Sequence, residues 1–190
     1  MSPSGPVSAA CGIVYLAGPE VFLPDAVVLG KRKKEICNAY GFDAQFPLDV
    51  SPASDLIGPS KVAHSVFDIC VAMMNACDLL IANMTPFRGV SMDVGTAVEL
   101  GYMHALGKPV FGYTNVVEDY ETRVVAAGMF DRSELVESFG LADNLMCEGP
   151  IWQSGGELVR CAVSSSDLLT SLEGFEQCVQ QAHQVFRSSK

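Results

Sequence analysis

Two carboxylates six residues apart, Asp93 and Glu99, stand in the segment Asp93-Val-Gly-Thr-Ala-Val-Glu99, directly behind a Pro/Gly-containing loop, Thr85-Pro-Phe-Arg-Gly-Val-Ser-Met92. Glu99 lies among apolar and small residues (Gly95, Thr96, Ala97, Gly101), which argues against a fully solvated position. Paired carboxylates are the usual equipment for breaking a glycosidic bond, one attacking the anomeric carbon while other groups manage protons and hydroxyls. Six helical steps turn a side chain by about 240°, so the two would not share a face if both were helical. Asp93 therefore has to reach a common site from a loop or helix cap, where its carboxylate can accept from free N–H groups. Glu99 has to reach it from the helix body.

The elements that must position this pair alternate along the chain. Ile13–Ala17, Asp43–Phe46, Asp78–Met84 and Val110–Tyr113 read as short buried strands, with Leu145–Cys147 as a last one. Asp25–Tyr40, Val62–Cys77 and Asp93–Leu106 read as helices. Thr170-Ser-Leu-Glu173 has the pattern of a capping box that would open a final amphipathic helix carrying Phe175, Val179, His183 and Phe186. Strands separated by helices predict an α/β fold of one domain: a doubly wound, mostly parallel five-stranded sheet with helices on both faces. Ligands of such sheets bind beyond the carboxyl ends of the strands, which selects the loops Gly18–Phe22, Pro47–Ser51 and Thr85–Asp93. Residues 1–11 read as a flexible tail and 12–190 as the domain.

Composition narrows the partners. A net charge of −10 over 190 residues excludes nucleic acid as a partner, because phosphate binding needs basic surface. The one basic cluster, Lys31–Lys34, reads as a solvated helix face. No apolar run is long enough to span a membrane, and the N-terminus lacks the basic start of a secretory signal. Seven cysteines, odd in number and irregularly spaced, fit reduced thiols in a cytoplasmic protein better than disulfides, and no Cys/His cluster suggests zinc. His64, His104 and His183 fall on helices with no partner at ligand spacing and read as surface or packing residues.

Tyr15-Leu-Ala-Gly-Pro-Glu-Val-Phe22, Pro86-Phe-Arg-Gly89, Asp93-x-Gly-Thr-Ala-x-Glu99-x-Gly101, Gly107-Lys-Pro-Val110 and Asp143-Asn-Leu-Met146 occur in order and at suitable spacings. As a set they resemble the nucleoside 2-deoxyribosyltransferase family, over most of Gly12 to Met146, and imply a flavodoxin- or Rossmann-like sheet. The resemblance implies that Glu99 is the nucleophile that attacks C1′ to form a deoxyribosyl ester. Tyr15 would orient that carboxylate and Asp93 would hold a sugar hydroxyl. Gly18 would let the backbone approach the ligand, and Phe22 would form an apolar wall against the base. Asn144 and Met146 fall on a segment that a neighbouring subunit contributes, which implies a homo-oligomer, a dimer or larger. Substrates would be deoxynucleosides and free nucleobases, with no metal or cofactor required and slow hydrolysis as a side reaction.

One position departs from the pattern. Where the family has Asn or Asp on the second helix to handle the base's proton, this chain has Cys70; Asp68, two residues earlier, and Asp49, in the second loop, are the candidates to replace it. Two other readings stay open. A deoxynucleoside 5′-monophosphate N-glycosidase on the same fold would need phosphate donors, for which Arg88 and Ser91 are available, although Glu20 in the first loop would repel phosphate. A non-catalytic nucleotide-binding module would leave Glu99 replaceable.

Overall fold

The computed structural model describes residues 11–54, 57–128 and 135–188. Five strands, β1 (Ile13–Ala17), β2 (Asp43–Gln45), β3 (Leu79–Asn83), β4 (Val110–Thr114) and β5 (Val159–Arg160), form one sheet in the order β2-β1-β3-β4-β5, every neighbouring pair parallel. Six helices connect and cover them: α1 (Ala26–Ala39), α2 (Pro59–Ala76), α3 (Val94–Ala105), α4 (Tyr120–Ala126), α5 (Leu145–Gln153) and α6 (Glu173–Ser188). The expected doubly wound α/β architecture is the one observed. The tail expected over 1–11 lies outside the described residues except for Cys11. No described helix is long and apolar enough to cross a membrane.

Side-chain alternation along the strands splits the core in two. Val14, Leu16, Leu79, Ile81, Phe111 and Tyr113 pack against α1 and α6 through Cys37, Phe175, Cys178 and Val179. Tyr15, Ala17, Leu80, Ala82 and Val110 pack on the other face against Met73 and Met74 of α2, Leu100 and Met103 of α3 and Ile151 of α5. This parity matters for function, because it sends Tyr15 to the face covered by α3, the helix that carries Glu99. The order of the strands matters too. From β1 the chain moves outward to β2, then returns past β1 to β3, so a crevice opens beyond the carboxyl ends of β1 and β3.

Two expectations are corrected here. Leu145–Cys147 is the first turn of α5 rather than a strand: the Asn144 side chain accepts from the Met146 N–H at 3.0 Å and caps the helix. The fifth strand is Val159–Arg160, too short to leave a pattern, held by its register on Tyr113 and Thr114. Nor is the Lys31–Lys34 cluster a uniformly solvated face, since Lys33 is 1% exposed. Ala26, Leu29, Gly30, Lys33 and Cys37 form the buried stripe of α1. Lys33 Nζ donates to Glu20 Oε1, which also accepts from Asn83 Nδ2 and the Tyr113 hydroxyl at 2.9 Å each. A buried ammonium needs such a partner, since an uncompensated charge inside a protein is costly. All seven cysteines are free, and Cys37, Cys77, Cys161 and Cys178 are buried.

Candidate functional site

The crevice beyond β1 and β3 holds a cavity of about 280 Å3 lined by Gly18, Val21, Phe22, Pro47, Leu48, Val66, Cys70, Asp93, Gly95, Thr96 and Glu99. Each of the three loops selected from the sequence reaches it. Asp93 ends the third as the N-cap of α3, with extended backbone, and its Oδ2 accepts from the Thr96 N–H at 3.0 Å and the Thr96 hydroxyl at 3.1 Å. Glu99 enters from the next turns of the same helix. The cap position reconciles the two carboxylates with one cavity despite their six-residue separation.

Glu99 is tied to the sheet by one contact. The Tyr15 hydroxyl donates to Glu99 Oε1 at 2.7 Å. Tyr15 is fully buried, so the strand fixes where its hydroxyl lies. Burial raises the Glu99 pKa to about 7, the nearby Asp93 charge pushes the same way, and the Tyr15 hydrogen bond pulls it down. The carboxyl is therefore poised to gain or lose its proton near neutrality. Tyr15 is held neutral, its pKa raised by burial and then by the Glu99 charge. Cys70 lies beside them in the cavity wall, its thiol's pKa raised mainly by burial.

Gly18 joins the cavity wall where β1 ends. A Cβ there would lie 2.0 Å from Glu20 Oε2 and 2.9 Å from the Asn83 Cβ, so the close approach of the buried Glu20 excludes any side chain. Glu20 is 1% exposed and neutralised by Lys33, and the expectation that it faces an incoming phosphate is thereby corrected. Phe22 lines the cavity, is 53% exposed, and stacks on Phe87 at 5.4 Å between ring centroids. The Arg88 guanidinium lies over both rings, 4.8 and 4.6 Å from their centroids. Arg88 has φ of 57°, the left-handed region that non-glycine residues rarely occupy.

The structure does not bring every sequence candidate to the cavity wall. Asp49 is exposed, with Oδ1 accepting from Lys34 Nζ at 2.6 Å and Oδ2 from the Phe46 N–H at 2.9 Å, so its carboxylate organises the turn at Pro47–Asp49. Asp68 is exposed on α2, two helical steps, or about 200°, from the wall residue Cys70. Asn144 caps α5, and Met146 is 73% exposed on its first turn. Neither lines the cavity. Asp143, just before them, accepts from the Ser91 hydroxyl at 2.5 Å and the Met92 N–H at 2.7 Å and ties this segment to the third loop. Thr96, Val66, Pro47 and Leu48 line the cavity and were not singled out from the sequence. Thr96 had a signal, its place three residues after a capping aspartate. Among the described residues, no group of three or more His, Cys, Asp or Glu side chains could hold a metal ion.

Comparison with known proteins agrees with this geometry. The profile of the family described as nucleoside 2-deoxyribosyltransferase matches residues 14–146. An uncharacterized protein of Schizosaccharomyces pombe is 34% identical over 165 residues, covering 75% of this chain and 78% of that protein. Among solved structures, a 2-desoxiribosyltransferase from Leishmania mexicana is 28% identical with a TM-score of 0.58, covering 88% of this chain and 97% of its own. A conserved protein from Enterococcus faecalis, 21% identical with a TM-score of 0.54, covers 90% and 98% and shares the fold.

Proposed function

This chain belongs to the nucleoside 2-deoxyribosyltransferase family, and from that membership and the cavity we propose that it transfers the 2-deoxyribosyl group between nucleobases by double displacement through Glu99. The observation that carries the reading is the Tyr15–Glu99 pair, a buried carboxylate held at 2.7 Å by a strand tyrosine in a cavity it shares with Asp93. The ionised Glu99 attacks C1′ as the bond to the base breaks through an oxocarbenium-like transition state. Tyr15 holds the carboxylate in place, and Asp93 takes a sugar hydroxyl. A second base then attacks the ester at C1′, and the two inversions give overall retention. Water in place of that base gives slow hydrolysis. A 2′-hydroxyl would withdraw electron density from the developing cation, which favours deoxyribose.

The cavity of one subunit is small, near the lower end of the roughly 300–1,000 Å3 usual for small ligands. It opens outward past Phe22, Leu48 and Val66, each about half-exposed. The helices α2 and α3, whose residues form much of its wall, also leave Phe67, Val94 and Val98 exposed. Both features favour a homo-oligomer in which the Asn144–Met146 segment of a neighbour completes the site. The unpaired cysteines favour a reducing compartment, the cytoplasm.

The test is to incubate the protein with deoxyinosine, with and without free adenine or cytosine, beside Glu99→Ala and beside deoxyinosine monophosphate. A new deoxynucleoside that depends on the added base and vanishes in Glu99→Ala supports the reading. Release of base from the monophosphate alone moves the assignment to a nucleotide N-glycosidase, a second reading favoured by the exposed Arg88 beside the cavity wall. No turnover of either substrate leaves a nucleotide-binding module.

A further inference from the structure

The cavity wall has two chemical halves. Glu99, Asp93 and Thr96 supply its oxygen-bearing side chains, with Gly18 and Gly95 offering backbone. The rest is Val21, Phe22, Pro47, Leu48, Val66 and Cys70. A sugar with its hydroxyls suits the first half, and a flat base the second. A departing base needs somewhere to put the electron pair of the broken C1′–N bond, and each side chain near the bond is either committed to another role or a weak acid. Glu99 is the nucleophile and reacts only when it has no proton to give. Asp93 is the helix cap, its Oδ2 already taken by two Thr96 donors. The Tyr15 proton is committed to Glu99. Cys70 offers the wall a thiol rather than a carboxyl, and burial makes it a weaker acid than an ordinary thiol. The nearby acids Asp49 and Asp68 are exposed and off the wall.

We propose that among the described residues the base half of this cavity supplies no general acid, so that the enzyme selects bases by how readily they leave as nitrogen anions. This inference rests on the transfer reading above. In the first half-reaction the C1′–N bond breaks with its electron pair going to the base nitrogen, and the C1′–O bond to Glu99 forms. The base anion takes its proton from water at the open end past Leu48 and Val66. In the second half-reaction an incoming base that has already lost its N–H proton to water attacks C1′ and releases the Glu99 carboxylate. The substrate class is therefore deoxynucleosides of acidic bases. Poorly acidic bases are slow both as leaving groups and, because little anion is present, as acceptors.

The experiment is a leaving-group series of one shape: 2′-deoxyuridines carrying methyl, hydrogen or fluorine at C5, in order of rising base acidity, with kcat/KM measured for transfer to a common acceptor. The wild-type rate should rise steeply along the series, by up to about tenfold for each unit of base acidity. Cys70→Asp places a carboxyl in the wall beside Glu99, where like charge and burial keep it protonated. That variant should raise the methyl compound's rate about tenfold or more and flatten the series, whereas Cys70→Ala should leave the slope unchanged. A flat wild-type series with transfer intact would overturn the proposal by showing that an acid operates. The wild-type slope decides this even if Cys70→Asp fails to fold. Transfer from deoxyinosine but from no member of the series, the fluorinated one included, would also overturn the proposal, since the most acidic base would then fail to leave, whereas absence of transfer from the series and from deoxyinosine alike would overturn the transfer reading itself.

Discussion

Removing one oxygen atom tests the electrostatics of the site. Tyr15→Phe keeps the ring that packs beneath α2 and α3 and deletes the hydroxyl that donates to Glu99 at 2.7 Å. A hydrogen bond to a charged group is worth about 1.5–3 kcal/mol, and about 1.4 kcal/mol corresponds to one pKa unit. That bond favours the ionised form, so its loss should raise the Glu99 pKa from about 7 by roughly one to two units. In the proposed mechanism the nucleophilic form is the carboxylate, so activity should fall as pH drops below the pKa and the acid limb of kcat/KM should move to higher pH. At neutral pH the variant should lose roughly 5- to 50-fold in kcat/KM through the smaller ionised fraction, and recover most of that loss in alkaline buffer. The assay is kcat/KM for base exchange across the neutral range for wild type and variant, with a thermal melt to show that the fold persists. An acid limb that stays in place, or moves to lower pH, would refute the reasoning that Tyr15 acts by holding the carboxylate ionised.

Asp93→Asn should shift the same limb the other way, because the Asp93 charge pushes the Glu99 pKa up; a pH profile read beside that of Tyr15→Phe checks the sign. Burial of Glu99 should also affect stability. Its folded pKa of about 7 lies above the 4.5 of an ordinary glutamate, so its contribution is most favourable below the lower value and is lost as pH rises through the upper one. Glu99→Gln should therefore melt higher than wild type above neutral pH and lose that advantage in acid, as calorimetry across pH would show. Lys33→Met leaves the buried Glu20 carboxylate without its counter-ion, which should cost about 3–5 kcal/mol. At about 2–4 °C per kcal/mol for a chain of this size, that is a drop of roughly 6–20 °C in Tm, measurable by thermal denaturation. Gly18→Ala drives a methyl group into Glu20 Oε2 and should destabilise by about 1–3 kcal/mol, read from a denaturant titration.

What the sequence disclosed follows from how local each signal is. Asp93 could be placed at a helix cap and Glu99 on the following turns from spacing alone, because α3 begins where a capping aspartate meets a helical pattern. The face on which Tyr15 meets Glu99 depends on the parity of β1 against β3, a non-local fact, and reached the sequence reading only through family resemblance. The misplaced fifth strand has a local cause. Leu145–Cys147 is an apolar triplet without a period, and Gly149 and Pro150 disguise the helix that follows, although Asn144 marks its start. Lys33 was legible in principle. It falls four residues after Leu29 and four before Cys37 on the buried stripe of α1, and a lysine on such a stripe calls for a carboxylate elsewhere, here Glu20. Its proximity to three other basic residues concealed that.

In the proposed mechanism a deoxyribosyl group resides on Glu99 between the two half-reactions. The direct measurement is mass spectrometry of protein quenched in acid during turnover of a deoxynucleoside, followed by peptide mapping. The expected result is a mass increase of one deoxyribosyl group on the peptide that contains Glu99, lost on addition of an acceptor base and absent from Glu99→Gln. Base exchange without any such adduct, or an adduct on another residue that persists in Glu99→Gln, would contradict it.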